Sequence, residues 1–567
     1  MNSPIMHHRS LVILSVTLMA MLSGNLDLRA AEVAPAPAPT PLVPTAQAPA
    51  AQVPGAQAPV AQTPGAPSPV AEAPLKTLPA DVRLRLRLAD GGRTDTRWAA
   101  SPFPTLFSTA WGKGVAEQVR SQPGPFQLLA QLAPAQQATL ALTVADEQPT
   151  GHLLARARDE ATGAALVTTL NARPATTVIE GLEVRATLPL ITARLDSIFK
   201  PRAPGLNNGM RWSWSELLPL STADLATAIN PLVDADLQWR NAAPWPGAAP
   251  EATLGVRAEW QLTSYGMHEL VRISGVPKPT STGGAPATVD RTVFTGLPAD
   301  TVWALSSAPL PVVLEQIPGL TSEVIDAWAR KQDLPSWTTL KPQLGSALIW
   351  LQQGVPLPAL SIEVHMPQEA GLAALAWLDA KHQFSPGADG THIGAMGFIP
   401  VQAAWQTGSL IITTGAGGIA GAVARPSGFA TDPAVADALK ALPTGDLLLA
   451  GVSRSGESWG GLAAFAPWLT RRKPELASLS TDLRKAGTYG FVSLRRDQEL
   501  IVIDAGGLFG GPLSTTAILG GFFRAVVGDR QGGMGGPGDR QRPARQRARD
   551  ASKPDEPGDV KPKQVEF

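Results

Sequence analysis

The sequence predicts an α+β protein built from two homologous halves, each an antiparallel sheet with covering helices. Three segments recur in the same order along the chain, which indicates a duplicated scaffold. Helix and hairpin patterns are interspersed without strict β-α-β alternation, which favours antiparallel sheets. The recurring pairs are LPAD at 78–81 and 297–300, TLGV at 253–256 with TYGF at 488–491, and ELVRI at 269–273 with ELIVI at 499–503.

Composition bounds the functional classes. Of the 567 residues, 44% are hydrophobic, and 47 basic residues balance 47 acidic ones. A net charge near zero argues against a protein whose main function is to bind nucleic acid, so no nucleic-acid partner is expected. The chain contains no cysteine, which excludes disulfides, thiolate metal sites, cysteine nucleophiles and a lipid-modified N-terminal cysteine.

The first residues resemble an export signal. Residues 1–30 are predicted to be a signal peptide, because a basic stretch at 7–9 precedes an apolar run at 11–22 and a small residue stands before Ala31. The apolar run of about 12 is shorter than the roughly 20 residues that span a bilayer. An uncleaved anchor is the alternative. We therefore expect a periplasmic or secreted bacterial protein.

Two segments are predicted to be disordered. Residues 31–77 are rich in Ala and Pro, and this composition is either a semi-rigid tether or a tolerated low-complexity insert. Residues 528–567 form a Gly/Arg-rich tail. Its arginine cluster is a candidate for peripheral surface contact, although interspersed acidic residues favour a solvated tail. The cluster is Arg540, Arg542, Arg545, Arg547 and Arg549.

The first half is predicted at 78–290. Alternating apolar residues indicate its strands, and apolar runs with helical spacing indicate its helices. Its predicted elements are a strand at 82–88, helices at 103–122 and 126–137, strands at 139–145, 152–157 and 183–190, and a hairpin of 254–262 with 269–274.

The second half is predicted at 291–527. Its elements are a strand at 301–307, a helical stretch at 310–331 interrupted at Pro318, strands at 347–352 and 359–365, and a helix through Leu372, Leu375 and Leu378. A hairpin of 401–405 with 410–414 follows, then helices at 418–424 and 433–442, a strand at 447–452, two more helices, and a hairpin of 489–495 with 499–504.

A resemblance to a known family lies mainly in the second half. The LPADT opening at 297–301, the strand and glycine at 410–415, and the turn at 442–446 resemble a family of bacterial secreted domains of unknown function. The resemblance implies the same fold but supplies no catalytic residues. The first half departs from the pattern, because Arg83, Arg85 and Arg87 alternate along its opening strand. This alternation predicts a charged, exposed strand face, at a sheet edge or on an open sheet face.

One motif is typical of a nucleophile. Gly456, Ser458 and Gly460 fit the G-x-S-x-G elbow of α/β-hydrolases, with an apolar strand before them. Three residues separate that strand from the first glycine, and no histidine follows Ser458. Ser458 is therefore only an alternative candidate, and no catalytic residue is assigned.

Other patterns support no cofactor or metal site. The glycines at 415–420 loosely match a dinucleotide fingerprint, but Pro426 would stop the following helix early, so a strand-to-helix turn is favoured. The histidines lack zinc-ligand spacing. His382 and His392 flank a loop with Asp389, which is read as a surface loop. Neither Asp234 and Asp236 nor Asp389 extends into a calcium loop.

Tryptophan is abundant, with 15 residues. Trp212, Trp214, Trp239 and Trp245 could line an apolar ligand site, but core packing is favoured. The prediction is an exported, non-enzymatic binding or structural protein of the cell envelope. The alternatives are a hydrolase using Ser458 and a carrier of an apolar ligand between the two halves. The expected partner is an envelope protein or an apolar small molecule.

Overall fold

The computed structural model covers the two predicted halves with gaps. It describes residues 78–88, 91–113, 135–145, 148–171, 183–187, 190–195, 217–226, 233–242, 253–276, 288–316, 322–331, 333–353, 358–396, 399–415, 417–423, 427–464, 477–486 and 489–511. The predicted signal peptide, linker and tail lie outside these residues.

One antiparallel sheet of 19 strands contains all the named strands of the described residues. The first nine are β1 (Leu84–Leu88), β2 (Gln137–Ala145), β3 (Gln148–Arg156), β4 (Glu183–Thr187), β5 (Leu190–Leu195), β6 (Leu217–Leu218), β7 (Ala235–Ala242), β8 (Thr253–Thr263) and β9 (Gly266–Ser274). The other ten are β10 (Thr301–Ser307), β11 (Ala347–Gln352), β12 (Ala359–His365), β13 (Ser385–Pro386), β14 (His392–Met396), β15 (Ile399–Gln406), β16 (Ser409–Thr413), β17 (Leu449–Arg454), β18 (Tyr489–Asp497) and β19 (Leu500–Gly507).

Strand neighbours follow a single path across the sheet. The order is β4, β5, β3, β2, β1, β7, β8, β9, β19, β18, β17, β10, β11, β12, β16, β15, β14, β13. The short β6 pairs with the end of β7. Every pairing is antiparallel, so the predicted mixture of helices with antiparallel strands is confirmed.

Short helices connect and cover the strands. They are α1 (Gly91–Ala100), α2 (Phe103–Ser108), α3 (Glu160–Asn171), α4 (Thr222–Ala226), α5 (Leu310–Leu314), α6 (Ser322–Lys331), α7 (Trp337–Leu340), α8 (Gln368–His382), α9 (Gly418–Val423), α10 (Pro433–Ala441), α11 (Ser455–Ala464) and α12 (Leu479–Ala486). Short 3₁₀ helices lie at Arg291–Gly296, Lys341–Gln343, Ala388–Gly390 and Phe429–Thr431.

The core lies on different sheet faces at the two ends of the sheet. Successive residues of a strand point to opposite faces. Around β1, β7 and β8, one face carries Leu86, Leu237 and Ala258 into an apolar core with α2, α3 and α12. Around β10 and β17, the opposite face carries Ala304 and Val452 into a second core under α9 and α10.

Several predicted elements need correction. Residue 137 starts strand β2 instead of ending a helix. The single strand predicted at 183–190 is two strands, β4 and β5, which pair antiparallel with Thr187 opposite Leu190. Helix α2 ends at Ser108, since Thr109 is extended with ψ 163°. The elements without a counterpart in the prediction are helices α1, α3, α4 and α7 and strands β6, β7, β13 and β14.

Glycine 371 fixes how α8 packs on β15. Gly371 is buried, and a Cβ there would overlap the Trp405 indole. Gly371→Ala is therefore expected to lower the free energy of unfolding by about 1–3 kcal/mol through overpacking. Gly461→Ala, in α11 with open space around its Cα, should instead raise it by up to about 1 kcal/mol. Urea denaturation of both variants measures this, and the same sign for both would contradict the packing argument.

Candidate functional site

The alternating arginines of β1 do not lie at an edge or on an open face. Strand β1 runs between β2 and β7, and Arg85 and Arg87 are 1% and 6% exposed. The prediction of an exposed strand face is therefore wrong. The physical reason is that β7 and β8 present complementary polar groups at the same register, so the arginines are paired inside the sheet.

These polar groups form one continuous surface, here called the charged face. Register places Arg87 opposite Asp236, which lies opposite Glu259. It places Arg85 opposite Gln238, which lies opposite Arg257, and Arg257 opposite Arg272. The charged face comprises Arg85, Arg87, Asp236, Gln238, Arg240, Arg257, Glu259 and Arg272.

Asp236 is the anchor of the charged face. It is 1% exposed, and its Oδ1 accepts a 2.7 Å hydrogen bond from Arg87 Nε while its Oδ2 pairs with Arg87 Nη2. Arg257 Nη2 lies 3.5 Å from the same Oδ2. Two guanidinium groups thus share one buried carboxylate. Removing any one of the three charged groups would leave a buried charge without its partner, which destabilises the fold.

Glu259 serves a second pair of arginines. Its Oε1 accepts a 2.6 Å hydrogen bond from Arg272 Nη1. Arg257 Nε lies 2.8 Å from the same oxygen, but it is not aligned to donate a hydrogen bond there. Like charges directly opposite on neighbouring strands repel, so Glu259 is what permits Arg257 and Arg272 to face each other.

Arg85 has no carboxylate within hydrogen-bond distance among the described residues. It donates from Nη2 to Gln238 Oε1 and from Nη1 to the Leu225 carbonyl of α4 at 2.8 Å. Burial, and next the positive charge of Arg87, lower the pKa of Arg85 to about 10. The side chain stays protonated at neutral pH, so the charged face holds a cation that only neutral groups contact directly.

A cleft opens where the charged face meets α4. It has a volume of about 180 Å³ and an open mouth. Its polar lining comes from Asp224, Gln238, Arg240, Arg257, Arg272 and Ser274. Gly255, which has no side chain, also lines the cleft, and Leu220 and Leu500 contribute apolar lining. Arg240 pairs with Asp224 at 2.9 Å, with both side chains partly exposed.

Ser458 lies in α11, not on a strand-to-helix turn. The helix begins at Ser455, directly after β17. One residue, and not the predicted three, therefore separates the strand from Gly456. The Ser458 hydroxyl lies 3.0 Å from both the Val302 and the Arg454 carbonyl oxygens, where it donates. These contacts fix the side chain against the backbone of β10 and of its own helix.

The histidines occupy separate places in the described sheet and helices. His392 Nδ1 is 2.7 Å from Asp379 Oδ1, and the His382 ring packs on Trp377. Asp389 is exposed, which agrees with a surface loop. His268 Nε2 lies 2.7 Å from Asp504 Oδ1. Each ring thus has its own local partner.

His152 is expected to make stability depend on pH. Burial, and next the Arg194 guanidinium, lower its pKa below 6.5 in the folded chain. The unfolded chain then binds the proton more tightly, so folding stability falls as the pH drops below about 6.5 and is unaffected well above it. Replacing His152 by Gln should flatten the fall in melting temperature between about pH 7 and pH 5. An unchanged slope would contradict this cause.

The glycine-rich stretch at 415–420 joins strand β16 to helix α9. Strand β16 pairs antiparallel with β12 and β15, so it does not belong to the parallel β-α-β unit of a dinucleotide site. Ile419 N–H donates to Gln402 Oε1 at 3.2 Å. The Gln402 side chain therefore occupies the start of α9. Among the four tryptophans, Trp239 packs against the core and also lines the cleft. Trp212, Trp214 and Trp245 lie outside the described residues.

Two further observations concern the described part of the chain. No three His, Asp or Glu side chains there are grouped so that they could hold a metal ion. No described helix combines the length and apolarity needed to cross a membrane.

Comparison with known proteins found no match: no family model, no curated protein and no solved structure matches this chain. Among the described residues, the charged face and its cleft are the candidate functional site. Sequence reasoning did not find them, although the residues alternate at a spacing of two on β1, β7 and β8.

Proposed function

We propose that the chain is an exported, non-enzymatic binding protein of the bacterial cell envelope, and that it binds through the cleft of the charged face. The observation that carries the proposal is the convergence of Arg240, Arg257 and Arg272 on one open cleft. Ligand sites are concave and carry a few convergent polar groups. The signal-like residues 1–30 support export.

The scaffold is proposed to consist of two homologous halves. The neighbours of β1 are β2 and β7, and those of β10 are β11 and β17. The same correspondence continues outward through β3 and β12 and inward through β8 and β18 to β9 and β19. Equivalent connections in equivalent order are the expected result of a duplication.

Strands β9 and β19 join the two proposed halves. Val271 pairs with Ile503, and Ile273 pairs with Ile501. The resemblance to the secreted domain family remains a prediction.

The two halves differ on the face that carries the cleft. In the first half this face bears the charged residues, whereas in the second half it packs under α9 and α10. A duplicated scaffold in which this face is charged in one half and apolar in the other is consistent with binding by one half. The apolar-carrier alternative lacks a comparable observation, since three arginines and Asp224 line the cleft beside its apolar residues. The contacts of Ser458 give no support to the hydrolase alternative.

Site-specific photo-crosslinking in growing cells tests the proposal. A photoreactive amino acid would replace Ser274, which is exposed at the cleft, and in a control Asp437, which is exposed on α10. We expect the chain in the envelope fraction and a covalent adduct from position 274 only. A cytoplasmic chain, or equal labelling at both positions, would contradict the proposal.

A further inference from the structure

We propose that the cleft binds a small anionic group, a carboxylate or a phosphate, held by Arg240, Arg257 and Arg272. The inference rests on the proposed function, because it takes the cleft as the binding site and names the chemistry that would fill it. Three properties of the described residues point to an anion: the placement of the arginines, the charge balance and the shape of the cleft.

The strands place three guanidinium groups around one point. Arg257 on β8 lies opposite Arg272 on β9, and Arg240 on β7 lies opposite Gly255, two residues before Arg257. All three therefore point to the same sheet face. Their exposures are 38% for Arg240, 19% for Arg257 and 35% for Arg272, so a solute can reach them.

The charge balance of the charged face is positive. Among the described residues, these five arginines (Arg85, Arg87, Arg240, Arg257 and Arg272) lie near three carboxylates that pair with members of the set, Asp224, Asp236 and Glu259. A fourth carboxylate, Asp504, lies on the same sheet face and contacts His268. Asp236 and Glu259 are each already shared by two arginines. Partly buried cations in excess of their partners are stabilised by an added anion.

The donors suit an oxyanion. A guanidinium has five N–H groups, and the pairs with Asp224 and Glu259 use only a part of those on Arg240 and Arg272. Planar guanidinium groups bind carboxylate and phosphate oxygens through two parallel hydrogen bonds. The Ser274 hydroxyl, which donates to the Gly255 carbonyl at 3.4 Å, also lies at the cleft.

The cleft has room for such a group. Its 180 Å³ exceeds the roughly 30 Å³ that a water molecule takes in the liquid, so it admits a group of several heavy atoms. Gly255 leaves the wall between Arg240 and Ser274 without a side chain. Leu220 and Leu500 can contact an apolar part of the same ligand.

Isothermal titration of the exported chain with inorganic phosphate, and separately with acetate, tests the proposal. We expect a dissociation constant of about 1 mM or below for at least one of them, and weaker binding as salt is raised. Arg240→Gln and Arg272→Gln should each weaken binding by about 10-fold or more. Arg330→Gln, at an exposed position on α6, is the matched control and should bind like the unchanged chain.

Because Arg272 also holds Glu259, each variant is first checked by its thermal melting curve. Arg240 pairs only with the partly exposed Asp224 among the described residues, so Arg240→Gln should fold and keeps the test valid if Arg272→Gln does not. Phosphate binding alone, or acetate binding alone, identifies the anion. No binding of either at about 10 mM, or binding that neither cleft variant changes, overturns the anion site. A Ser274 adduct in cells together with no anion binding would refute this inference and leave the proposed function standing.

Discussion

Asp236→Ala is expected to lower the free energy of unfolding by about 3–5 kcal/mol. Removing the carboxylate leaves Arg87 and Arg257 without the group that both contact. Arg87 is 6% exposed, so water cannot replace the lost partner. The measurement is equilibrium urea denaturation followed by circular dichroism.

The matched control is Asp437→Ala. Asp437 pairs with Lys440 at 3.0 Å on α10, and their side chains are 56% and 77% exposed. Solvent screening limits such pairs to between about 0 and 1 kcal/mol. If Asp236→Ala and Asp437→Ala lower stability equally, the charged face does not depend on its buried carboxylate, and the described pairing is wrong.

Gly266→Ala is expected to lower the free energy of unfolding by about 3 kcal/mol or more. Gly266 has a φ of +123°, at the tip of the hairpin of β8 and β9. Alanine is strained there by about 1–3 kcal/mol. Its Cβ would also meet the Gly507 carbonyl oxygen, and the Leu508 carbonyl oxygen at 2.6 Å. Backbone atoms cannot move aside as a flexible side chain can, so the overlap adds to the strain.

Gly408→Ala separates these two causes. Gly408 has a φ of +84° at the turn between β15 and β16, and no atom lies within 4 Å of its added Cβ. It should cost only the backbone strain, about 1 kcal/mol. The same denaturation experiment compares the variants. A Gly266→Ala cost no greater than that of Gly408→Ala would show that the end of β19 does not close on this hairpin.

The regular elements were predictable where an apolar pattern dominated. Strands β10, β11, β12 and β17 and the hairpin of β18 with β19 lie within two or three residues of the predicted ranges. Their apolar side chains face helices on at least one side, so local hydrophobic periodicity carries the information. Helix α10 starts at Pro433 after Asp432, whose side chain accepts from Ala434 N–H, a standard helix start.

The charged face was not predictable by the same reasoning. Strand β7 has the sequence ADLQWRNA, and its polar residues make it look solvated when taken alone. Strand β1 alternates Leu and Arg, and its arginines likewise suggest a solvated face when the strand is considered alone. The charged side chains of β1 pair with polar side chains of β7 inside the sheet. The burial of both sets can be predicted only when the register between the two strands is known. Three strands with charges at a spacing of two were the available signal.

Local structure accounts for the sequence motif that resembles a catalytic site. Ser458 fits a nucleophile motif in the sequence, yet the helix starts before it and both oxygens near its hydroxyl are backbone carbonyls. Sequence spacing specifies residue types but not where a helix begins. Conversely, Arg240, Arg257 and Arg272 are 17 and 15 residues apart in the chain, and antiparallel pairing of three strands brings them to one cleft.

The most direct test of the binding account is a crystal structure of the chain grown or soaked with phosphate and with a carboxylate at about 10 mM. The account predicts density for an anion in contact with Arg240, Arg257 and Arg272, absent in crystals of Arg272→Gln. A cleft that holds only water under these conditions, or one filled by another segment of the same chain, would contradict the account.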